Sequence, residues 1–358
     1  MVLSSIGYPN CHQNPILLSH FSDYFGSAPS KEISNYQATQ SPDSGWYYVD
    51  NTYIGYFYQP AIYLSTRNDI NVSIEYCMFY NISAGLSSGT VVANIPNGRI
   101  VVANSCFARC YLDGTDYGQA FKMVIDKYTC MIMSVSLTQC APDSIITRYA
   151  LSYHSGGKHY FSYTNASKNI LYQFSSFYCT SCVNVSISYC TIRENNAIYA
   201  YSLYIQSCSN SYIQFTNIYG NNSPTANTAV VYSGSNSYLT YVMNCIFMEN
   251  SGILLAAAAP GMTLTNCIIQ HISGVGSGYV TGAVTITTQT ATHNISHFRT
   301  YYCYPLEGNE GLNLSPCQTI PQPPTNCLNP ESLSGLKLHS LITSLQYSLL
   351  SQLILYVQ

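Results

Sequence analysis

The sequence predicts an all-β chain, a single-stranded parallel β-helix solenoid of about nine to ten coils with a short C-terminal helix. Three observations carry this. A Cys-centred stretch, IEYCMFYN at 74–81, returns in degraded form as VANSCFARC (102–110), ISYCTIREN (187–195), VMNCIFMEN (242–250) and TLTNCIIQH (263–271). Each copy alternates apolar and polar residues, as a strand with one buried face does, and most end near an asparagine that suits a tight turn. The mid-strand anchors recur at intervals of roughly 22 to 32 residues, the spacing of a solenoid. Finally, 47% of the 358 residues are hydrophobic while only 8% are charged. The first figure excludes disorder, and the second suits stacked strands, where like charges would face one another.

Taken in order, residues 1–45 read as an irregular N-terminal segment and cap, with Ser27–Ser44 rich in Ser, Pro and Asn. The β-helix spans 46–303. Its first aromatic run, Trp46–Tyr58, is expected to cap the open end of the core. From Ala61 onward a short apolar strand precedes each Cys-centred strand: Ala61–Leu64 before Ile70–Phe79, Thr90–Asn94 before Arg99–Phe107, Ile170–Tyr178 before Val183–Ile192, Thr228–Tyr232 before Tyr238–Phe247. These runs are β-branched and aromatic without a 3.6-residue face, which disfavours helical repeats. Leucine-rich spacing and four-strand blades are also missing. At 304–331 clustered Pro and Gly end the ladder. In 332–358, Leu338, Leu341, Ile342, Leu345, Leu349, Leu353 and Ile354 fall at helical spacing on one face. That segment is expected to cover the last rung as a helix, with weak membrane association through 338–357 and disorder as the alternatives.

Within the coils, Cys77, Cys106, Cys190, Cys245 and Cys267 read as a core ladder, since free cysteine packs as a small hydrophobe. Asn81, Asn195, Asn222 and Asn250 follow the anchors and read as a turn ladder, because asparagine tolerates a left-handed corner. Cys317 and Cys327 flank the Pro-rich segment and are candidates for a disulfide.

The rungs IEYCMFYN, VMNCIFMEN and TLTNCIIQH, with their turn asparagines, resemble the right-handed parallel β-helix proteins of the pectin-lyase-like superfamily. More narrowly they resemble the large Cys- and Tyr-rich β-helix families on the surfaces of parasitic protozoa. The resemblance covers about residues 45–303. It implies a right-handed solenoid at the cell surface or outside the cell, with no convincing signal peptide in MVLSSIGYPNCHQNPILL. Such surface proteins end in a membrane span, a pattern that Ser340–Gln358 falls short of.

The superfamily also contains lyases and glycoside hydrolases, which work with paired carboxylates. Their adjacent aspartates, Gly-His-Gly turn and calcium-binding acid cluster have no counterpart here. The strongest catalytic candidates are Arg109, Asp113 and Asp116 in RCYLDGTD, where a guanidinium would hold a uronate carboxylate beside acid–base groups; an incidental ion pair in a solvated loop is the plainer reading. No cofactor and no metal is expected. His293 and His297, four apart on a strand, stand about 13 Å from one another. Cys179 and Cys182 lack a second pair to complete a zinc site. The 12 basic residues are scattered, which argues against nucleic acid as a partner. With 35 tyrosines, the expected role is non-enzymatic: an adhesion-type face offered to glycans or to host or self surface proteins. The alternatives are a polysaccharide lyase or glycoside hydrolase of the same fold, and a structural or non-functional family member.

Overall fold

A computed structural model describes residues 25, 31–33, 45–50, 52–55, 58–84, 89–112, 117–140, 150–171, 176–197, 201–223, 229–234, 238–259, 261–270, 279–286 and 303. These lie in one unit, Gln13–Glu310. Segment 304–331 with Cys317 and Cys327, and the expected helix at 332–358, lie outside the described residues. Among the described residues no helix is long and apolar enough to cross a membrane.

One coil shows how the chain winds. Phe177–Thr180 forms the first face, Asn184–Ser188 the second, Thr191–Arg193 the third, and Asn196–Ala197 a short fourth. Each strand pairs in parallel with its counterpart one coil on: Phe177 opposes Leu203, Val185 opposes Ser211, Thr191 opposes Asn217 and Asn196 opposes Asn222. Such pairing joins the strands into a 19-stranded and an 11-stranded sheet. The chain is a right-handed parallel β-helix of the all-β class that the alternation predicts. Its coil number differs from the expected nine to ten, because the faces have unequal depth. The second face already begins at Lys31–Ile33 and runs to Val280–Ile286, whereas the third begins at Tyr53–Gly55. Gly45–Asp50 is therefore an inner rung, sandwiched between Lys31–Ile33 and Ile70–Glu75.

The corners are the costly part. Ser181, Tyr189 and Glu194 all sit at φ near +54°, a region that disfavours side chains by about 1–2 kcal/mol. The residue after each corner offsets this by turning inward and bonding stranded carbonyls. Cys190 Sγ donates to Ser188 O at 3.3 Å, and Cys182 Sγ to Thr180 O at 3.4 Å. Equivalent thiols at Cys77, Cys245 and Cys267 reach the carbonyl two residues back and one on the preceding coil. Small side chains with one donor fit this place, so Ser105 and Thr216 fill it in other coils.

Alternation fills the hollow. On the second face, Val72, Ile100, Cys130, His159 and Val185 stack inward. On the first face Leu64, Ala93, Met123, His154, Cys179 and Ile205 do the same. Phe79 and Phe107 stack at 4.4 Å between ring centres, and Phe107 meets Phe121 edge-on at 4.4 Å.

Cys106 is not part of the inward cysteine row. It opposes Met78, whereas Ser105 Oγ accepts from the Cys77 N–H. A shift of one residue in a strand exchanges its faces. Cys106 thus points away from the hollow and bridges to Cys303, 197 residues on.

Candidate functional site

Arg109 occupies a corner at φ +53°. Its guanidinium donates to Tyr80 Oη at 3.1 Å and to Gln139 Oε1 at 3.3 Å, on the coils before and after. It is thereby engaged in a lateral row. Asp113 and Asp116 lie outside the described residues, as do His271, His293 and His297.

Of the turn ladder read in the sequence, Asn195 and Asn250 stand in the observed row, while Asn222 and Asn81 are each one residue off it. Asn169, Asn195, Asn221 and Asn250 form a continuous chain of side-chain amides. Asn222 belongs to a second, half-buried row with Asn196 and Ser251. Asn81 sits at the left-handed corner itself (φ +51°), and the next residue, Ile82, takes the inward place.

Outside, tyrosines align on the first face. Tyr153, Tyr178, Tyr204 and Tyr232 are register partners on successive coils, and Tyr117 and Tyr201 lean across them. Tyr178 and Tyr204 stack at 4.9 Å, and Tyr201 and Tyr232 at 4.5 Å. Tyr153 meets Tyr178 edge-on at 5.4 Å, and Tyr178 and Tyr204 are themselves buried within the row. Burial pushes the Tyr178 phenol up to about 12, so its hydroxyl remains a donor at neutral pH. The Tyr178 hydroxyl donates to Gln206 Oε1 at 2.5 Å.

A groove of about 270 Å³ opens on the second face among Phe25, Arg99, Lys127, Tyr128, Thr129 and Lys158. The Arg99 guanidinium lies 4.8 Å above the Tyr128 ring. The basic residues scattered in sequence meet here because Arg99, Thr129 and Lys158 fall in one outward row.

Among the described residues, two acids also meet. Asp50 and Glu75 are register partners on neighbouring strands. Glu75 is fully buried and accepts from Ser73 Oγ at 2.5 Å. Burial first, then the Glu75 and Asp50 carboxylates, pushes the adjacent Tyr48 phenol far up.

Inside, Cys130, His154 and His159 converge with no exposure to solvent, their ligating atoms all within 4.8 Å of one another. His154 Nδ1 lies 3.1 Å from His159 Nδ1 and 4.0 Å from Cys130 Sγ. His154 Nε2 meets Ser152 Oγ at 2.5 Å. The Gly156–Gly157 corner makes this approach, with φ +79° and +27°. A Cβ on Gly156 would stand 2.4 Å from Ile125 O. Burial holds the His159 imidazole down at about 4. The His154 imidazole is held well below its ordinary range by burial and then by its neighbour His159, and burial raises the Cys130 thiol. All three are neutral at pH 7. These residues carry no sequence motif. Phase is the signal that finds them: Ser152, His154, His159 and Phe161 occupy the inward positions on either side of a Gly-Gly turn.

Residues 126–292 match the family model for the right-handed β-helix region. The match takes in the His154–His159 coil and the tyrosine face from Tyr153 to Tyr232. No curated protein and no solved structure matches the chain.

Proposed function

We propose that this β-helix is a non-enzymatic adhesion or display protein, working at the cell surface or outside the cell, whose tyrosine-lined exterior meets glycans or surface proteins. The carrying observation is the in-register row Tyr153–Tyr178–Tyr204–Tyr232 with Tyr117 and Tyr201. Rings already locked by stacking lose little entropy on binding, and their hydroxyl edges supply donors and acceptors. The likeness to pectin-lyase-like and protozoan surface β-helices supports the same reading. The Arg99–Lys127–Lys158 groove adds cations that suit acidic sugars. A glycan array carrying neutral and acidic arms, with a panel of surface-protein extracts, tests it. Binding weakened about tenfold or more by Tyr153→Ser with Tyr232→Ser supports the role; silence across array and extracts sinks it.

A second reading, a polysaccharide lyase or hydrolase, is favoured by the Asp50–Glu75 pair alone. Release of reducing ends or unsaturated uronates that disappears in Glu75→Gln and Asp50→Asn would replace the adhesion reading with this one.

A further inference from the structure

We propose that Cys130, His154 and His159 form a binding site for a single soft metal ion, and that monovalent copper is the ion they suit. The donors are one sulfur and two imidazole nitrogens, delivered from two successive coils by strand register. Ligand atoms placed about 2.0–2.3 Å from one ion stand roughly 3.3–3.8 Å apart. The distances of 3.1 Å between the two Nδ1 atoms and 4.0 Å from His154 Nδ1 to Cys130 Sγ bracket that range. The third separation, Cys130 Sγ to the His159 ring, is within 4.8 Å, so a shift of up to about 1 Å closes the set around an ion.

An outer contact is in place for one of the two imidazoles, whereas His159 Nε2 has no partner among the described residues. In the tautomer that donates Nε2–H to Ser152 Oγ, His154 keeps the Nδ1 lone pair directed at His159 and Cys130. Metal-bound histidines are held by the same device. Charge selects the ion. The three side chains are closed to solvent, so a bound group must be close to neutral. One thiolate and two neutral imidazoles exactly offset a single positive charge, whereas Zn(II) would leave one charge uncompensated. Thiolate and imidazole together also suit Cu(I) by softness. On binding, the Cys130 thiol gives its proton to solvent. Because the ligands are enclosed, the ion enters while the coil is open, and loading is coupled to folding.

The full chain, unfolded and refolded without oxygen in Cu(I) buffered by a bicinchoninate competitor, provides the test. Expected are one copper per chain after desalting and an X-ray absorption first shell of one sulfur and two imidazole nitrogens. At the same free copper, Cys130→Ala and His159→Ala should lower loading more than tenfold, while Cys190→Ala, at a corner, should not. The site is overturned if the wild type retains no stoichiometric copper, if Cys130→Ala loads as well as wild type, or if the shell is sulfur alone. Preferential retention of Zn(II) from a Zn(II)/Cu(I) mixture overturns the copper assignment. The spectrum of the wild type decides the matter even where a variant fails to fold.

Discussion

The side-chain oxygen of Asn221 accepts two hydrogen bonds from Asn195, at 3.0 Å from its amide and 3.1 Å from its backbone N–H. Asn195 repeats the arrangement toward Asn169, and Asn250 toward Asn221. Each amide also donates to a carbonyl on the preceding coil, as Asn195 does to Ala166 O at 2.9 Å. The row satisfies buried corner groups that the parallel ladder leaves unpaired.

Asn195→Ala therefore removes the partner of the buried Asn169 backbone N–H and a donor to the Ala166 carbonyl. A loss of roughly 2–4 kcal/mol is expected from the urea midpoint. Asn196→Ala, in the half-buried row, should cost less than about 1 kcal/mol. Equal losses would show that the inner row has no special weight.

Stability should fall on mild acidification. The His159 pKa drops from 6.5 unfolded to about 4 folded. Between those values the unfolded chain binds the extra proton, so stability is complete above pH 6.5 and declines as pH falls toward 4. The full span corresponds to about 3 kcal/mol for this residue. His154 shifts the same way. Urea midpoints from pH 7.5 to 4.5 should slope downward in the metal-free wild type, and His159→Gln should flatten the slope.

The Cys106–Cys303 bridge closes a very long loop, its ends 197 positions apart in sequence. In the chain-entropy account such a closure contributes up to about 5 kcal/mol. Melting with and without reductant should show a fall in midpoint, and Cys106→Ser should be insensitive to reductant. Buried thiols such as Cys190 and Cys267 should resist alkylation until the chain unfolds.

Phe107 fills the hollow between Phe79 and Phe121. Phe107→Ala should cost about 3–5 kcal/mol, since neighbouring coils hold the cavity open. Tyr58, 80% exposed, should change stability by no more than about 0.5 kcal/mol when replaced by alanine. Chemical denaturation of both variants tests the placement.

Much of this architecture is legible in the residues. Alternation within IEYCMFYN and its repetition lead to a parallel solenoid, because a period of two with a regular longer interval has few other solutions. Register is where reading fails. Aligning Cys106 with Cys77 by identity is off by one, and so is taking Asn222 rather than Asn221. Both positions are next to a left-handed corner, where alternation breaks and two adjacent residues compete for the inward place.

Composition and periodicity thus determine the all-β winding and the apolar filling of the hollow, because those depend on local phase. Which side chains meet is decided by stacking. Cys130, His154 and His159 become neighbours only when one coil lies on another and the Gly156–Gly157 corner folds two strands together. Contacts of that kind are set by coil length and register, which are properties of the closed stack and of no single segment.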